Sequence, residues 1–266
     1  MEKRVSFFIA GVQKGGTTAL FDILSQHNDV CFPERKELHF FDNESLDWAE
    51  PPYELLHAAF APANDGALLG EATPIYVYWP NALERLKAYN PNAKIILLLR
   101  HPTFRAYSQW RMETTRGDEP LSFEACISEI GRDRVRIAPG GAHRVHSYVE
   151  RGFYADQLQR IYSLFPKHQV LVQRTDHLWA RPEETLQAVS RFLDLSGSIQ
   201  KTGYVTPYEG KTSGSMTLSD RRHLDTLFRS QIMKTQEIAN IDLSDWLSED
   251  YAESIPQPLN VTAYRI

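Results

Sequence analysis

The sequence of 266 residues lacks most of the features that mark zinc-binding, disulfide-rich or membrane-spanning proteins. It contains two cysteines, Cys31 and Cys126, and neither belongs to a CxxC pair. This excludes a cysteine-based zinc cluster and a disulfide framework, and it favours a reducing compartment. The apolar run near the N-terminus is short, which predicts neither a signal peptide nor a membrane span. We therefore expect a cytoplasmic chain with no membrane partner.

An excess of basic residues is also absent. The chain has 29 lysines and arginines against 34 aspartates and glutamates, a formal net charge of −5. No global positive field is therefore available to attract nucleic acid. The composition is that of an ordinary globular protein, and neither repeats nor linkers divide it, so one domain over residues 1–266 is expected. No pattern in the sequence predicts an oligomeric state.

Apolar strands alternate with amphipathic helices along the chain. The continuous apolar run KIILLL, at 94–99, predicts a central parallel strand that is covered on both faces. Further strands are predicted at 5–10, 67–70 and 169–173, and helices after the loop that follows the first strand and at 81–90, 102–111, 153–165, 183–193 and 217–235. Thr217 and Asp220 have the spacing of a capping box. The alternation predicts an α/β fold with a central parallel sheet flanked by helices.

The segment GVQKGGTTAL, residues 11–20, has the glycines and threonines of a phosphate-binding loop. In the pattern G-x-x-x-x-G-K-[ST], Gly11 and Gly16 match the two glycines and Thr18 matches the hydroxyl position. Thr17 occupies the lysine position, however, and the lysine has moved to Lys14 inside the loop. The segment therefore resembles a phosphate-binding loop whose lysine lies at a different position.

The different position of the lysine does not prevent the loop from binding an anion. Gly15 and Gly16 allow the backbone to approach an anion closely, and the helix that follows offers unpaired N–H groups. Thr17 and Thr18 add hydroxyl donors, and Lys14 adds a positive charge. No apolar strand ends in an aspartate that would hold Mg²⁺, which disfavours a nucleotide triphosphatase. A plain glycine turn between strand and helix is the alternative interpretation of this loop.

A second candidate anion site lies in LLLRHPTFRAYSQW, residues 97–110. Arg100 ends the central strand, and ligands of parallel sheets bind at the carboxyl ends of the strands. Ser108 lies on the helix that Pro102 begins. A guanidinium matches phosphate oxygens in a bidentate way, so Arg100 and Ser108 are candidates for a second phosphate.

Together the two segments resemble the sulfotransferases that use 3′-phosphoadenosine 5′-phosphosulfate (PAPS). The loop is similar to their 5′-phosphosulfate loop, and the stretch from Arg100 to Ser108 to their 3′-phosphate segment. KELHFFD (36–42) and GEATPIY (70–76) resemble the branch of the heparan sulfate N- and 3-O-sulfotransferases and their bacterial relatives. The resemblance covers roughly residues 5–215 and leaves 216–266 as a C-terminal helix and tail.

The resemblance implies a P-loop-like sulfotransferase fold and an in-line transfer of sulfonate from PAPS, which leaves the product PAP. The acceptor would be a hydroxyl or amine of a small molecule or carbohydrate, and no metal is required. Lys14 would reach the oxygen that bridges phosphorus and sulfur. Lys14, Thr17 and Thr18 would then stabilise the charge on the leaving phosphate.

The family match also suggests the groups that act on the acceptor. Glu37 matches the catalytic glutamate, and His39 lies on the same side of an extended segment, where it would assist or orient the acceptor. The branch has a lysine at the position of Ala72, so this chain lacks one cationic contact there. Lys211, together with the backbone at Ser213 and Gly214, resembles a late loop that contacts the donor.

Two other regions are candidates for acceptor binding. The stretch 131–152 is rich in arginine and glycine and poor in apolar periodicity, which suggests a mobile loop. A solvated loop is the default interpretation, and a lid that helps to attract the donor and the acceptor is the alternative. Tyr76 and Trp79 belong to an aromatic cluster that would line an acceptor pocket, although packing in the core is an equal alternative.

Two further function classes remain open from the sequence. A small-molecule kinase or nucleotide triphosphatase would bind ATP with Mg²⁺, which the displaced lysine disfavours. A non-catalytic module would bind PAP without turnover, which the presence of both Lys14 and Glu37 disfavours.

Overall fold

The computed structural model describes residues 4–61, 66–197, 199 and 216–254. Its strands are β1 (Phe7–Gly11), β2 (Val30–Cys31), β3 (Leu68–Glu71), β4 (Lys94–Leu99) and β5 (Val170–Arg174). They form one sheet in the order β2-β3-β1-β4-β5, and every neighbouring pair is parallel. This confirms the predicted α/β fold with a central parallel sheet.

Helices cover both faces of the sheet. The described residues form α1 (Thr17–Leu24), α2 (Tyr53–His57), α3 (Ala82–Tyr89), α4 (Pro102–Arg116), α5 (Phe123–Ile127), α6 (Glu129–Arg136), α7 (Tyr154–Leu164), α8 (Thr175–Ala180), α9 (Pro182–Leu193) and α10 (Leu218–Ala239). The predicted helices are present, although α4 and α10 extend further than expected. Three of the helices that were not predicted, α2, α5 and α8, have only five or six residues, too few to show an apolar period.

Alternating residues of the central strands face two separate apolar clusters. From β4, Ile95, Leu97 and Leu99 join the cluster that contains residues of α3, α7 and α10. Ile96 and Leu98 join the cluster on the opposite face, with residues of α1 and α9. All five side chains are almost fully buried, which explains why β4 has a continuous apolar sequence.

Helix α10 begins at the predicted capping box. The Thr217 hydroxyl accepts a hydrogen bond from the Asp220 amide at 3.0 Å, and the Asp220 carboxylate accepts one from the Thr217 amide at 3.3 Å. Within the described residues, no helix is both long and apolar enough to cross a lipid bilayer.

The arginine-rich stretch 131–152 differs from its prediction as an irregular loop. Helix α6 extends into it, and the Ser128 hydroxyl caps this helix by accepting from the Gly131 amide at 3.1 Å. Arginines of the stretch bind carboxylates of the protein itself: Arg132 binds Glu150, Arg134 binds Glu119 and Arg144 binds Asp42. The pairs with Glu119 and Asp42 connect the stretch to residues outside it. The prediction of an irregular loop is therefore wrong for the residues in α6, whereas a role as a lid stays a prediction.

Candidate active site

The loop between β1 and α1 is closely packed around its glycines. A Cβ atom on Gly15 would lie 2.4 Å from the Leu98 carbonyl oxygen, so only glycine fits there. Gly16 precedes α1 with a φ of 83°, which glycine adopts without strain, and no side chain caps the helix. Thr18 is exposed in the first turn, whereas Thr17 is buried. The predicted junction is present, and its N–H groups are open to an anion.

Lys14 and Arg100 lie side by side at the carboxyl edge of the sheet. Arg100 follows β4 directly, and its Nη1 donates to the Lys14 carbonyl oxygen at 3.1 Å. Burial, followed by repulsion from Arg100 and Arg116, lowers the pKa of Lys14 to about 8, although Glu37 acts in the opposite direction. Neighbouring cations in a partly buried site favour the binding of an anion. The structure therefore brings the two predicted donor segments together.

Arg100 also binds a carboxylate from the C-terminal part of the described chain. Its Nε and Nη2 donate to the two carboxylate oxygens of Glu253, each at 2.6 Å. Ser108, the second residue predicted for the 3′-phosphate, lies partly buried on α4. The bidentate contact shows that the Arg100 guanidinium is oriented to bind a planar or tetrahedral anion.

Glu37, His39 and Asp42 form a continuous line of contacts. His39 Nδ1 lies 2.9 Å from an Asp42 carboxylate oxygen, and His39 Nε2 lies 3.5 Å from a Glu37 oxygen. Lys36 Nζ donates to the other Glu37 oxygen at 2.5 Å. The side chains of Glu37 and His39 are 38% and 39% exposed, whereas that of Asp42 is fully buried. The first two groups are therefore open to an acceptor, and Asp42 supports them from inside the protein.

These contacts fix the charge of both exposed groups. Hydrogen bonds to Asp42 and Glu37 raise the pKa of His39 to about 9. Burial alone would raise the pKa of Glu37, but the hydrogen bonds and charges of His39 and Lys36 lower this pKa to about 2. At neutral pH, Glu37 is therefore an ionised acceptor for a proton, held in place by an imidazolium. Asp42 was not among the predicted site residues, although it is the last residue of the KELHFFD segment and follows His39 by three positions.

Three successive amides at residues 37–39 donate to three successive residues at the end of β3. The pairs are the Glu37 amide with the Ala72 carbonyl at 3.2 Å, the Leu38 amide with a Glu71 carboxylate oxygen at 3.2 Å, and the His39 amide with the Thr73 hydroxyl at 3.4 Å. Glu37 and His39 have φ angles of 62° and 54°, which non-glycine residues adopt at a cost. The end of β3 therefore holds a strained segment in place.

Ala72 occupies the position where the branch has a lysine. Its side chain is 1% exposed and lies in an apolar cluster, so the site has no charge at this position. A cation is present near His39 instead, because Arg144 donates to the Asp42 carboxylate and to the Asp42 carbonyl. The same guanidinium lies 4.3 Å from the centre of the Trp79 ring.

Tyr76 belongs to the core and not to an acceptor pocket. It is fully buried, and its hydroxyl accepts from the amides of Phe40 at 3.1 Å and Phe41 at 3.4 Å. Its predicted role in acceptor binding is therefore wrong. Trp79 is partly exposed, and its Nε1 donates to a Glu44 carboxylate oxygen at 2.8 Å. Trp79 remains a candidate for contact with an acceptor.

The third predicted donor element lies outside the described residues. Its members are Lys211, Ser213 and Gly214. Their contacts therefore stay a prediction from the sequence. In the part of the chain that the structure describes, no group of three or more His, Cys, Asp or Glu side chains is arranged to hold a metal ion.

Comparison with solved structures supports the same fold. A sulfotransferase from Alicyclobacillus acidocaldarius superposes with a TM-score of 0.77 and is 26% identical, and the match covers 92% of this chain and 99% of that one. A mouse sulfotransferase complexed with PAP superposes with a TM-score of 0.52 at 13% identity, which supports the fold alone.

Characterised relatives carry related domains within longer chains. The mouse bifunctional heparan sulfate N-deacetylase/N-sulfotransferase 1 is 26% identical over 91% of this chain and 30% of its own length. Human heparan sulfate glucosamine 3-O-sulfotransferase 6 is 31% identical over 70% of this chain and 51% of its own. The chain thus spans 30% and 51% of the length of these two relatives. A family model described as the sulfotransferase domain matches residues 5–213, a span that includes the anion loop and the Glu37 segment, and the chain belongs to this family.

Proposed function

We propose that the chain is an enzyme that transfers sulfonate from PAPS to a hydroxyl or amine of a small-molecule or carbohydrate acceptor. One observation carries the proposal: Lys14 and Arg100 meet at the carboxyl edge of the sheet, where Arg100 donates to the Lys14 carbonyl at 3.1 Å, next to the N-terminus of α1 that no side chain caps. Lys14 would supply the cation for the leaving group, and the ionised Glu37 would supply the base for the nucleophile. Group transfer from a bound anion to a nucleophile needs this arrangement.

The donor would be held at two points. Lys14, Thr17, Thr18 and the N-terminus of α1 would bind its 5′ end, and Arg100 and Ser108 its 3′-phosphate. PAPS supplies the sulfonate and a stable phosphate leaving group. During transfer, charge collects on the oxygen that leaves the sulfur, and Lys14 lies on the loop where this charge would develop.

Glu37 is proposed to accept the proton of the attacking group. The acceptor oxygen or nitrogen forms a bond to sulfur, and the bond between sulfur and the bridging oxygen breaks, leaving its electron pair on the phosphate. The proton of the acceptor moves to Glu37, which His39 holds through the contact at 3.5 Å. Because its pKa is about 2, Glu37 is a weak base, so this proton transfer accompanies bond formation to sulfur and does not precede it.

The acceptor class follows from the groups beside the base. The two heparan sulfate enzymes are relatives, which supports a carbohydrate. However, Ala72 supplies no charge, and Arg144 is already bound to Asp42. We therefore propose an acceptor that is less anionic than a sulfated polysaccharide. A cytoplasmic location and the absence of nucleic-acid partners remain predictions from the sequence.

The two rival functions make different predictions about ligands. In calorimetric titrations of the purified protein, we expect PAP to bind with about micromolar affinity in the absence of metal. A parallel titration with ATP·Mg²⁺ is expected to show weak binding. Binding of ATP·Mg²⁺ without PAP would contradict the proposal and favour a kinase. Binding of PAP, with no transfer of labelled sulfonate from PAPS to water or to a panel of phenols, sterols and sugars, would favour a non-catalytic module.

A further inference from the structure

Glu71 is a fully buried carboxyl group that the proposed chemistry does not use. It ends β3, and one of its carboxylate oxygens accepts from the Leu38 amide at 3.2 Å and from the Thr73 hydroxyl at 2.5 Å. Its other carboxylate oxygen has no hydrogen-bond partner among the described residues. Burial raises the pKa of Glu71 to about 7, which shows that this position is unfavourable for an ionised group.

The two bonds of Glu71 act on the backbone that carries the base. The Leu38 amide lies between Glu37 and His39, the two residues with positive φ. By donating to Glu71, the Thr73 hydroxyl keeps its own lone pairs available for the His39 amide. Loss of Glu71 would therefore remove one bond to this strained segment and leave the orientation of a second bond unfixed.

We propose that Glu71 is a positioning residue, which holds Glu37 and His39 in register with Asp42 through the Leu38 amide and the Thr73 hydroxyl. Lys14 and Arg100 follow other strands, so the donor site does not depend on Glu71. The catalytic consequence rests on the proposed function, whereas the position of His39 does not.

Two substitutions of similar size separate this role from general stability. Glu71→Gln keeps an oxygen that accepts both hydrogen bonds, whereas Glu71→Met accepts neither. We expect the pKa of His39, measured by NMR and assigned with His39→Asn, to stay within about one unit of its native value in Glu71→Gln. In Glu71→Met it is expected to fall towards its unperturbed value of about 6.5 as the contacts with Asp42 and Glu37 loosen.

The rate of sulfonate transfer is also expected to change more in Glu71→Met than in Glu71→Gln. Loss of labelled sulfonate from PAPS to water or acceptor is expected to slow by about 100-fold in Glu71→Met and by less than about threefold in Glu71→Gln, with unchanged PAP affinity in both. A native pKa of His39 in Glu71→Met would overturn the proposal, and so would equal defects in the two variants. If the wild type binds no PAP, the proposed function fails, but the NMR result still decides the role of Glu71.

Glu253 forms an ion pair with Arg100, the arginine that is predicted to bind the 3′-phosphate. All three guanidinium nitrogens of Arg100 are engaged: two by Glu253 at 2.6 Å and the third by the Lys14 carbonyl at 3.1 Å. Glu253 thus takes the side of the guanidinium formed by Nε and Nη2, and a phosphate that binds this side in a bidentate way must replace the carboxylate.

The segment that carries Glu253 is anchored two residues earlier. The ring of Tyr251 stacks on His101 with centres 5.0 Å apart, and its hydroxyl donates to Asp176 at 3.1 Å. The Arg221 guanidinium donates to the Tyr251 carbonyl at 2.8 Å. This anchor holds Glu253 next to Arg100, where the carboxylate balances the charge of Arg100 before the donor binds.

On the basis of the proposed function, we infer that Glu253 is a displaceable counter-ion that competes with the 3′-phosphate of the donor for Arg100. A nucleotide without this phosphate leaves the pair intact. The carboxylate therefore weakens the binding of PAP and favours its release after transfer, but it has no effect on nucleotides that lack the 3′-phosphate.

Calorimetry with PAP and 5′-AMP tests this inference, because only PAP has the 3′-phosphate. Glu253→Gln is expected to bind PAP about tenfold more tightly than the wild type and to bind 5′-AMP within about twofold of it. Glu249→Gln, at an exposed position of the same segment, should change neither. Unchanged or weaker PAP binding by Glu253→Gln would overturn the inference, whereas absence of PAP binding by the wild type would overturn the proposed function first.

Discussion

Replacing Glu37 by glutamine is expected to lower the rate of sulfonate transfer by about 10²- to 10⁴-fold, the usual range for the loss of a general base. Glutamine preserves the size of the side chain and can accept a hydrogen bond from His39, but it cannot take up the acceptor's proton. Because Glu37 is proposed to act on the acceptor and not on the donor, the affinity for PAP should be unchanged. Initial rates with labelled PAPS, together with calorimetry, measure the two effects separately.

The exposed Glu34 provides a matched control for the same substitution in the same segment. Glu34→Gln should have native transfer rates and native PAP affinity. A rate within tenfold of the native one in Glu37→Gln would contradict the role of Glu37 as the base. Parallel loss of rate and PAP affinity would instead indicate a disturbed loop around Lys14.

The sequence predicts those parts of the fold that depend on neighbouring residues. KIILLL predicted β4 with its observed bounds, because a strand covered on both faces is apolar at every position. The capping box at Thr217 was predicted for the same reason, since both of its hydrogen bonds lie within three residues. Helix α6 was missed because only two of its residues, Gly131 and Val135, are buried, so it shows little apolar period.

Contacts between distant residues explain what the sequence alone does not show. For Tyr76 an acceptor pocket and packing in the core were equal alternatives, because the sequence does not show that Phe40 and Phe41, 36 and 35 positions away, use its hydroxyl. Arg100 was predicted as a phosphate ligand, but its partner Glu253 is 153 residues away. The roles of these residues follow from the fold and not from any local pattern.

Removing the Lys14 side chain tests the proposed binding of the donor and stabilisation of its leaving group. Lys14→Ala is expected to weaken PAP binding by about 10- to 100-fold, because a charge-assisted hydrogen bond to phosphate contributes about 1.5–3 kcal/mol. Transfer should slow further, since Lys14 also meets the charge that develops on the leaving oxygen. Lys234→Ala, at an exposed position on α10, serves as the control and should change neither.

The pH dependence of PAP binding separates the charge of Lys14 from its size. Because burial and Arg100 lower the pKa of Lys14 to about 8, the ammonium is lost as pH rises through this value, while a phosphate with a pKa of about 6 stays fully charged. The PAP affinity of the wild type should therefore fall above about pH 8. Lys14→Arg should keep its affinity to higher pH, because a guanidinium does not titrate there. His39, whose pKa is raised to about 9, titrates equally in both proteins, so a matching decline in the two would assign the effect to His39 and contradict the role of Lys14.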